Sequence, residues 1–300
     1  MRKCLFLFAV YLLLLPPIVP SQESETTRKL WDTAFIAKPE RKAGASSAKR
    51  RYRIATPNVP PDRVVADTVV GVTLWRLRPS RTTDTGERIL VQEGSESADW
   101  IPERVEADTK LTAGTRVRLS VEAARAGYLY VLNREQYADG SFGEPYLIFP
   151  TTRTNKGDNE VKAGRIIEIP AQDDRPPFFT LKPSRSDQVS ELISVLVSPT
   201  PLDGIQIGPA AQKLSVQQVA AWEKSWGGVV GRLEMQNGAG KTWTRQEKEA
   251  GADATRSLSQ DEPAPQTLYY RPGVKSGQPV MVNVALRYLP APAARTRRRK

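Results

Sequence analysis

From Val64 onward the chain alternates between apolar and polar residues over short segments, and this alternation constrains the fold more than any other feature. TRVRLSVE (115–122) shows it most clearly. Its two rows are Val117, Leu119 and Val121 on one side and Arg116, Arg118 and Ser120 on the other. Successive strand residues point to opposite faces, so the pattern predicts a strand with one buried face and one face toward water.

Further strand-like segments follow at similar spacing, and each ends at proline or at turn residues. They are VVGVTLWRLRP (69–79), GYLYVL (127–132), YLIFP (146–150), RIIEIP (165–170), FFTLKP (178–183), ELISVLVSP (191–199) and GRLEMQN (231–237). GYLYVL is apolar on both faces, which is typical of a central strand. The last part of the chain, 267–290, reads as a terminal hairpin turning between Pro272 and Gly277. The spacing predicts an all-β, sandwich-like and mostly antiparallel fold.

One helix is predicted over 215–226, within KLSVQQVAAWEKSWGG. Ser215 is a good N-cap, and Gln218 stands at the N3 position of a capping box. Trp222 and Trp226 are four residues apart, so both are expected to cover the sheet. Stacking on a carbohydrate is the alternative role for these two rings.

The chain begins with a leader-like segment. Arg2 and Lys3 precede the apolar run from Leu5 to Leu15, and small residues lie around Ser21. This pattern predicts a signal peptide over 1–21 and export to the bacterial periplasm or exterior. A retained membrane anchor is the alternative.

The remaining chain divides by composition. Residues 22–62 are polar, basic and proline-containing, and they predict a disordered linker. Residues 63–290 form the predicted domain, in which 245–266 is a polar insertion with some helix. Residues 291–300 are a predicted basic tail, also disordered.

The net charge of +11 is concentrated in short segments. Arg2 and Lys3 carry +2, residues 41–53 carry +6 and residues 295–300 carry +5, so the rest of the chain carries −2. This distribution argues against a basic groove on the folded domain and against specific nucleic-acid binding. It predicts salt-sensitive attraction of the two basic segments to an anionic envelope polymer or to an envelope protein.

Catalytic chemistry is restricted by two absences. The chain has no histidine, and its one cysteine, Cys4, lies inside the predicted leader. Disulfides, Ser-His-Asp and Cys-His catalysis and typical zinc sites are therefore not expected. Carboxylate chemistry, Ser-Lys chemistry, an oxygen-ligated metal or no catalysis at all stay open.

Three short motifs resemble catalytic or nucleotide-binding sequences. NGAGKT (237–242) ends like a phosphate-binding loop, but Met235 replaces the first glycine, so a hairpin turn at Asn237–Gly238 is favoured. DTG (84–86) lies between polar residues, which predicts a surface turn and not a protease triplet. Ser46 to Lys49 matches Ser-x-x-Lys inside the predicted linker, where no base can be held against the serine.

The stretch GYLYVLNREQYADG (127–140) places two tyrosines before an acidic turn. We interpret Tyr128 and Tyr130 as core or sheet-face residues of a strand. Calcium binding by the loops at Asp139 and Asp158 is the alternative, although their acids are sparse for such a site.

Several segments in order, VGVTLWRLRPS, ERVEADTKLTAGTRVRLSVEA, GYLYVLNREQYADGS, PYLIFPTTRTNKGDN and AGRIIEIPAQ, resemble the bacterial "domain of unknown function 4384" family. The resemblance spans about Val64 to Leu202. It implies a β-rich module of exported or envelope-associated proteins, and it supplies no catalytic residues.

Together these observations predict an exported, non-catalytic module that binds or scaffolds at the bacterial cell envelope, with no catalytic, cofactor-binding or metal-binding residue assigned. The alternative is a carboxylate-dependent hydrolase acting on cell-wall glycan. Such an enzyme needs two acids at a defined separation, which sequence does not reveal.

Overall fold

The structure is a computed structural model, and it describes residues 52–56, 58–61, 64–93, 96–252 and 264–289. The predicted leader (1–21) and tail (291–300), as well as the Ser-x-x-Lys motif, lie outside these residues. Sixteen strands are described: β1 (Tyr52–Ile54), β2 (Val70–Pro79), β3 (Ile89–Glu93), β4 (Glu96–Val105), β5 (Lys110–Leu111), β6 (Arg116–Ala123), β7 (Gly127–Tyr137), β8 (Tyr146–Phe149), β9 (Glu160–Val161), β10 (Ile166–Ile169), β11 (Phe179–Thr180), β12 (Gln188–Ser198), β13 (Gln212–Lys213), β14 (Gly231–Met235), β15 (Thr267–Tyr270) and β16 (Val280–Tyr288).

The strands form two sheets. The first sheet has the order β1-β14-β15-β2-β4-β3, and β6 pairs with the other side of β2 and with β10 and β11. The second sheet has the order β13-β8-β7-β12-β16-β5, with β9 also paired to β7. Within the described strands the β16–β5 pairing is parallel, and the others are antiparallel.

The main hydrophobic core lies between the sheets. Val72 and Leu119 of the first sheet belong to the same buried cluster as Val131, Val195 and Val282 of the second. The apolar row predicted for β6 points into this cluster, because a period of two places every second side chain on one face. The predicted all-β sandwich-like fold is confirmed.

Helix α1 (Val216–Trp226) covers the outer face of the second sheet. Ser215 caps it, with its Oγ accepting the Gln218 amide hydrogen bond at 3.1 Å. Trp222 and Trp226 stack with ring centroids 5.8 Å apart, and both pack against the sheet cluster. The predicted helix and its packing are confirmed.

A second helix, α2 (Arg245–Ala252), lies in the predicted polar insertion. It packs near β10, and its residues Glu247 and Ala250 are buried. Thr244 and Glu247 form a capping box, in which the Thr244 amide donates to Glu247 Oε2 at 2.8 Å and the Glu247 amide donates to Thr244 Oγ1 at 3.2 Å. Neither helix in the described part of the chain is long and apolar enough to cross a membrane.

The prediction that one face of β6 is exposed to solvent is wrong. Arg118 is 1% exposed and Ser120 is 6% exposed, because Trp243 and the α2 region cover this face of the first sheet. Trp75 Nε1 donates to Ser120 Oγ at 2.8 Å. Alternation shows that the side chains on one face of a strand are polar. That face can still be buried when another segment packs on it and supplies hydrogen-bond partners.

The predicted terminal hairpin is also wrong. β15 lies in the first sheet between β14 and β2, whereas β16 lies in the second sheet beside β12. The connection around Pro272–Gly277 therefore crosses from one sheet to the other.

The predicted linker ends too late at residue 62. Tyr52–Ile54 pairs with Leu233–Met235, and the Tyr52 hydroxyl donates to the Pro265 carbonyl at 2.5 Å. A strand of three residues is too short to show periodicity. Because it follows a basic segment, its composition predicts a linker and not a strand. The first part of the linker, 22–51, lies outside the described residues.

Candidate functional site

The candidate site lies at one end of the sandwich interior, where the inward rows of two strands change from apolar to polar. On β7 the buried Leu129 and Val131 are followed in the same row by Asn133 and Glu135. On β12 the core residues of the row give way to Glu191. Alternation thus places Asn133 and the buried Glu191 on the inner face of the sheet, with the half-buried Glu135 at its edge.

Glu135 and Glu191 are cross-strand neighbours. The register pairs Glu191 with Glu135 on β7 and with Leu286 on β16. Directly opposed residues of antiparallel strands have Cβ atoms about 5 Å apart. The two carboxylates therefore share one region of the inner face.

Each carboxylate has hydrogen-bond donors on one oxygen. Glu191 Oε1 accepts from Gln188 Nε2 at 2.7 Å and from the Tyr288 hydroxyl at 3.0 Å. Glu135 Oε2 accepts from the Tyr137 hydroxyl at 2.6 Å and from the Ser184 hydroxyl at 2.7 Å. These bonds hold both side chains in defined positions.

Two buried acceptors stay open at this site. Glu191 is 7% exposed, and its Oε2 is buried with no hydrogen-bond partner among the described residues. Asn133 Oδ1 is also buried and has none within the same set of residues. We call these two atoms the open acceptors. A buried acceptor without a donor costs about 1–3 kcal/mol, so a donor supplied by water or by a ligand would relieve this cost.

Burial is the main cause of a raised pKa at Glu191. The adjacent Asn133 side chain and the hydrogen bonds from Tyr288 and Gln188 oppose the rise, and the nearby charge of Glu135 adds to it. A carboxyl in a cleft with a pKa shifted by burial and by a specific charge is a frequent property of functional sites.

A cavity of about 170 Å³ opens beside these residues. Its lining is mainly apolar and comes from both sheets: Val117, Leu119, Ile148, Phe179, Leu181, Ile193 and Leu286, with Asn133, Thr180 and Glu191 as the polar members. We call it the inter-sheet cavity. An apolar cavity of about 150 Å³ is large enough for benzene, so this one can hold a ring or a branched alkyl group. An apolar pocket with few convergent polar groups is the usual form of a small-ligand site.

The acidic loops are placed elsewhere. Asp139 Oδ1 accepts hydrogen bonds from the amide and hydroxyl of Ser141 at 2.9 and 2.6 Å. Asp158 Oδ1 accepts from the Glu160 amide at 3.0 Å. Both carboxylates close their own turns. Among the described residues no group of three or more acids could hold a metal ion.

The DTG triplet begins at the last residue of a turn, in which the Asp84 amide donates to the Arg81 carbonyl at 3.1 Å. Asp84 accepts two hydrogen bonds from Arg78, at 2.8 and 2.7 Å, and one from the Arg81 amide at 2.6 Å. The Arg78 side chain, followed by the Arg81 amide, lowers the pKa of Asp84 far below its usual value. The hydrogen bonds of Asp84 stabilise the turn that begins at Arg81.

The NGAGKT segment is a turn but not a hairpin. Asn237 has φ 58°, and the chain then runs beside β4, where the Arg104 amide donates to the Lys241 carbonyl at 2.9 Å. β14 pairs with β15 instead of with this segment. The loop is therefore part of the cover over the first sheet.

The two tyrosines of GYLYVL face the helix side of the second sheet. Tyr130 is 3% exposed and its hydroxyl accepts from the Leu202 amide at 2.9 Å. Tyr128 packs against the same cluster. The interpretation as sheet-face residues is confirmed.

Two buried ion pairs lie on the outer face of the first sheet. Arg118 donates to Glu168 Oε2 at 2.9 Å, and Arg104 donates to Glu247 of α2. Arg118 also lies over the Trp243 ring, 5.2 Å from its centroid. These charges bind helix α2 and β10 to the sheet, and they are better explained as structural than as catalytic.

Sequence reasoning missed Glu191 and Asn133, although a signal was present. Both stand in the row that continues an apolar face of a strand, where water-facing residues are not expected. It also missed Thr244 and Glu247, whose spacing TRQE is that of a capping box.

Comparison with known proteins finds no match to any family model, to any curated protein or to any solved structure. The resemblance to the "domain of unknown function 4384" family stays a prediction.

Proposed function

We propose that this protein is an exported, non-catalytic binding module of the bacterial cell envelope and that its ligand enters the inter-sheet cavity. The observation that carries the proposal is the open oxygen of Glu191 at the end of an apolar cavity. A buried, hydrogen-bonded carboxylate with one oxygen left for a ligand is a recognition group.

Binding is favoured over catalysis by the state of the surrounding groups. Glu135 Oε2 already accepts from Tyr137 and Ser184, and Glu191 Oε1 already accepts from Gln188 and Tyr288. The chain has no histidine to act as a base near neutral pH. The groups at the cavity are thus arranged to hold a ligand by hydrogen bonds and apolar contact.

The location in the envelope rests on the leader-like residues 1–21 and on the basic segments. Residues 41–53 and 295–300 carry +6 and +5, and most of them lie outside the described residues. In this proposal they bring the protein to an anionic envelope polymer or to an envelope protein, and the cavity supplies the specific contact.

The test is an NMR titration of isotope-labelled protein with fractionated envelope extract. We expect chemical-shift changes at the amides of Asn133, Glu191 and Leu286, which line the cavity. Filling the cavity with Ile148→Phe should weaken those changes, whereas Leu90→Phe, at a side chain that is 62% exposed, should not. Shifts confined to the basic segments would contradict the cavity as the binding site.

The Glu135–Glu191 pair favours a second candidate, the carboxylate-dependent hydrolase. Glycosidases use two acids on facing positions, and these two residues are cross-strand partners. The test is release of reducing sugar from cell-wall glycan. If the wild-type protein releases reducing sugar and both Glu135→Gln and Glu191→Gln abolish this turnover, the protein is a hydrolase and not a non-catalytic binding module.

A further inference from the structure

The chemistry of the open acceptors restricts what the inter-sheet cavity can bind. Glu191 Oε2 and Asn133 Oδ1 are both oxygens that accept hydrogen bonds. A ligand therefore has to present N–H or O–H donors to them. An anion, or a group that only accepts hydrogen bonds, would be repelled by these oxygens and would leave both of them without a hydrogen-bond donor.

Charge makes a cationic donor better than a neutral one. Glu191 and Glu135 lie in opposed positions on the same inner face. Arg185, which lies over the Tyr137 ring at this end, is engaged with Asp187, its Nε and Oδ1 being 3.0 Å apart. The two glutamates thus give this end a negative potential, and a hydrogen bond between two charged groups is stronger than one between neutral groups.

The walls require the rest of the ligand to be apolar. Phe179, Leu181 and Leu286 are among the side chains that surround the space in front of Glu191. A volume of about 170 Å³ accommodates a compact group, on the order of six to eight non-hydrogen atoms if benzene fits in about 150 Å³. A strongly hydrated ion such as sodium would exchange most of its water for only the two open acceptors.

We infer that the inter-sheet cavity selects a compact apolar ammonium group, with the cation bound by Glu191 Oε2 and Asn133 Oδ1 and the apolar body against the walls. This inference rests on the proposed function of the cavity as a binding site and names its ligand class. The group can belong to a free amine or to a lysine side chain of a protein or peptide.

The experiment compares benzylamine with benzyl alcohol, which has nearly the same shape and no charge, on the full-length protein by NMR titration. We expect benzylamine to bind roughly tenfold to hundredfold more tightly, as a charge-assisted hydrogen bond predicts. Glu191→Gln keeps the size of the side chain and should remove this preference. Glu96→Gln, an exposed position on β4, is the matched control and should keep it.

A peptide arm distinguishes the two sources of the ammonium group. A short neutral peptide with one lysine is compared with the same peptide carrying norleucine, which lacks the charge. Binding of the lysine peptide at the cavity amides assigns a protein partner, and binding of benzylamine alone assigns a free amine.

The outcomes separate the inference from the proposed function. Equal affinity for benzylamine and benzyl alcohol at the cavity amides would overturn cation selection and leave the cavity as a binding site. Preference for the amine that persists in Glu191→Gln would also overturn the inference, because the selecting group would lie elsewhere. Failure of both probes to shift the cavity amides, while envelope extract still shifts them, would overturn the inference and leave the proposed function in place. A melting curve of each variant shows that the fold is retained.

Discussion

The Tyr288 hydroxyl on β16 donates a 3.0 Å hydrogen bond to Oε1 of Glu191 on β12, across the strand pair that closes one end of the sandwich interior. Tyr288 is 9% exposed and Glu191 is 7% exposed. Burial raises the pKa of both groups, so the phenol keeps its proton and the carboxyl is a poor acid. The bond therefore stabilises a buried carboxylate that the apolar core would otherwise disfavour.

Removing this donor should destabilise the protein. Tyr288→Phe leaves Glu191 Oε1 with Gln188 as its remaining described donor, and we expect a loss of about 1–3 kcal/mol in the free energy of unfolding at neutral pH. Urea unfolding measures it. Tyr146→Phe, at a ring that is 42% exposed, is the control and should change little. Equal effects of the two substitutions would contradict the role of the Tyr288 hydroxyl.

Glu191→Gln should flatten the dependence of stability on pH. The folded-state pKa of Glu191 is raised, by burial first and also by the charge of Glu135. A raised carboxyl pKa means that its stabilising contribution is complete below the unfolded-state pKa, near 4.3, and is lost as pH rises through the folded-state pKa. Wild type should therefore lose stability relative to the variant over this rise.

Urea unfolding of both proteins from pH 3 to pH 8 checks this direction. Tyr288 is close to Glu191 but does not titrate in this range, since burial raises its pKa as well. Wild type losing stability relative to the variant as pH falls would contradict the prediction, because it would show that folding stabilises the anion of Glu191.

The central strand β7 should not tolerate a charge on its inward row. Leu129 is 0% exposed and belongs to the core between the sheets, so Leu129→Asp buries an unpaired carboxylate. We expect a loss above about 4 kcal/mol or failure to fold. Asp139→Ala, in the exposed turn that follows, should have a small effect. Thermal melts of both variants decide the point, and similar melting temperatures would contradict the assigned core.

Breaking the buried ion pair between Arg118 and Glu168 should cost far more than breaking an exposed pair. Glu168→Gln leaves the buried Arg118 guanidinium without its hydrogen-bonded counter-ion, and we expect a loss of about 3–5 kcal/mol in unfolding free energy. Asp99→Asn breaks the exposed pair with Arg88 and should change stability little. Denaturant unfolding at the same pH compares them, and a mild Glu168→Gln effect would show that water reaches the pair.

The basic segments should carry any binding to anionic polymer. Glutamine at the basic residues of 295–300, which carry +5, should weaken binding of the full chain to an anionic polymer and reduce its dependence on salt. Exposed charges are screened over about 8 Å at physiological ionic strength. Arg53 is a different case, since it contacts Glu106 at 3.0 Å within the folded domain. Unchanged salt-sensitive binding in the substituted protein would assign the attraction to a folded surface.

Much of the fold was predictable from local pattern. The period of two in 115–122 identified β6 and its core row, and the capping residues Ser215 and Gln218 identified α1 to within one residue. Both signals arise within a few neighbouring residues: alternation reflects strand geometry, and a cap reflects the unpaired amides of one helix end. These two signals can be recognised from sequence because they do not depend on contacts with distant residues.

Local sequence pattern therefore specifies the class of fold and the positions of most strands, and the composition excludes histidine chemistry. Long-range packing specifies which polar rows are buried and which strands share a sheet. Arg118 was predicted to face water, and it is buried because Glu168 and Trp243 reach it from distant parts of the chain. Glu191 and Glu135 become neighbours through the β7–β12 register, which depends on long-range pairing. Alternation along a strand predicts which residues share one face of the sheet. Which segment packs on that face depends on contacts between residues far apart in the chain.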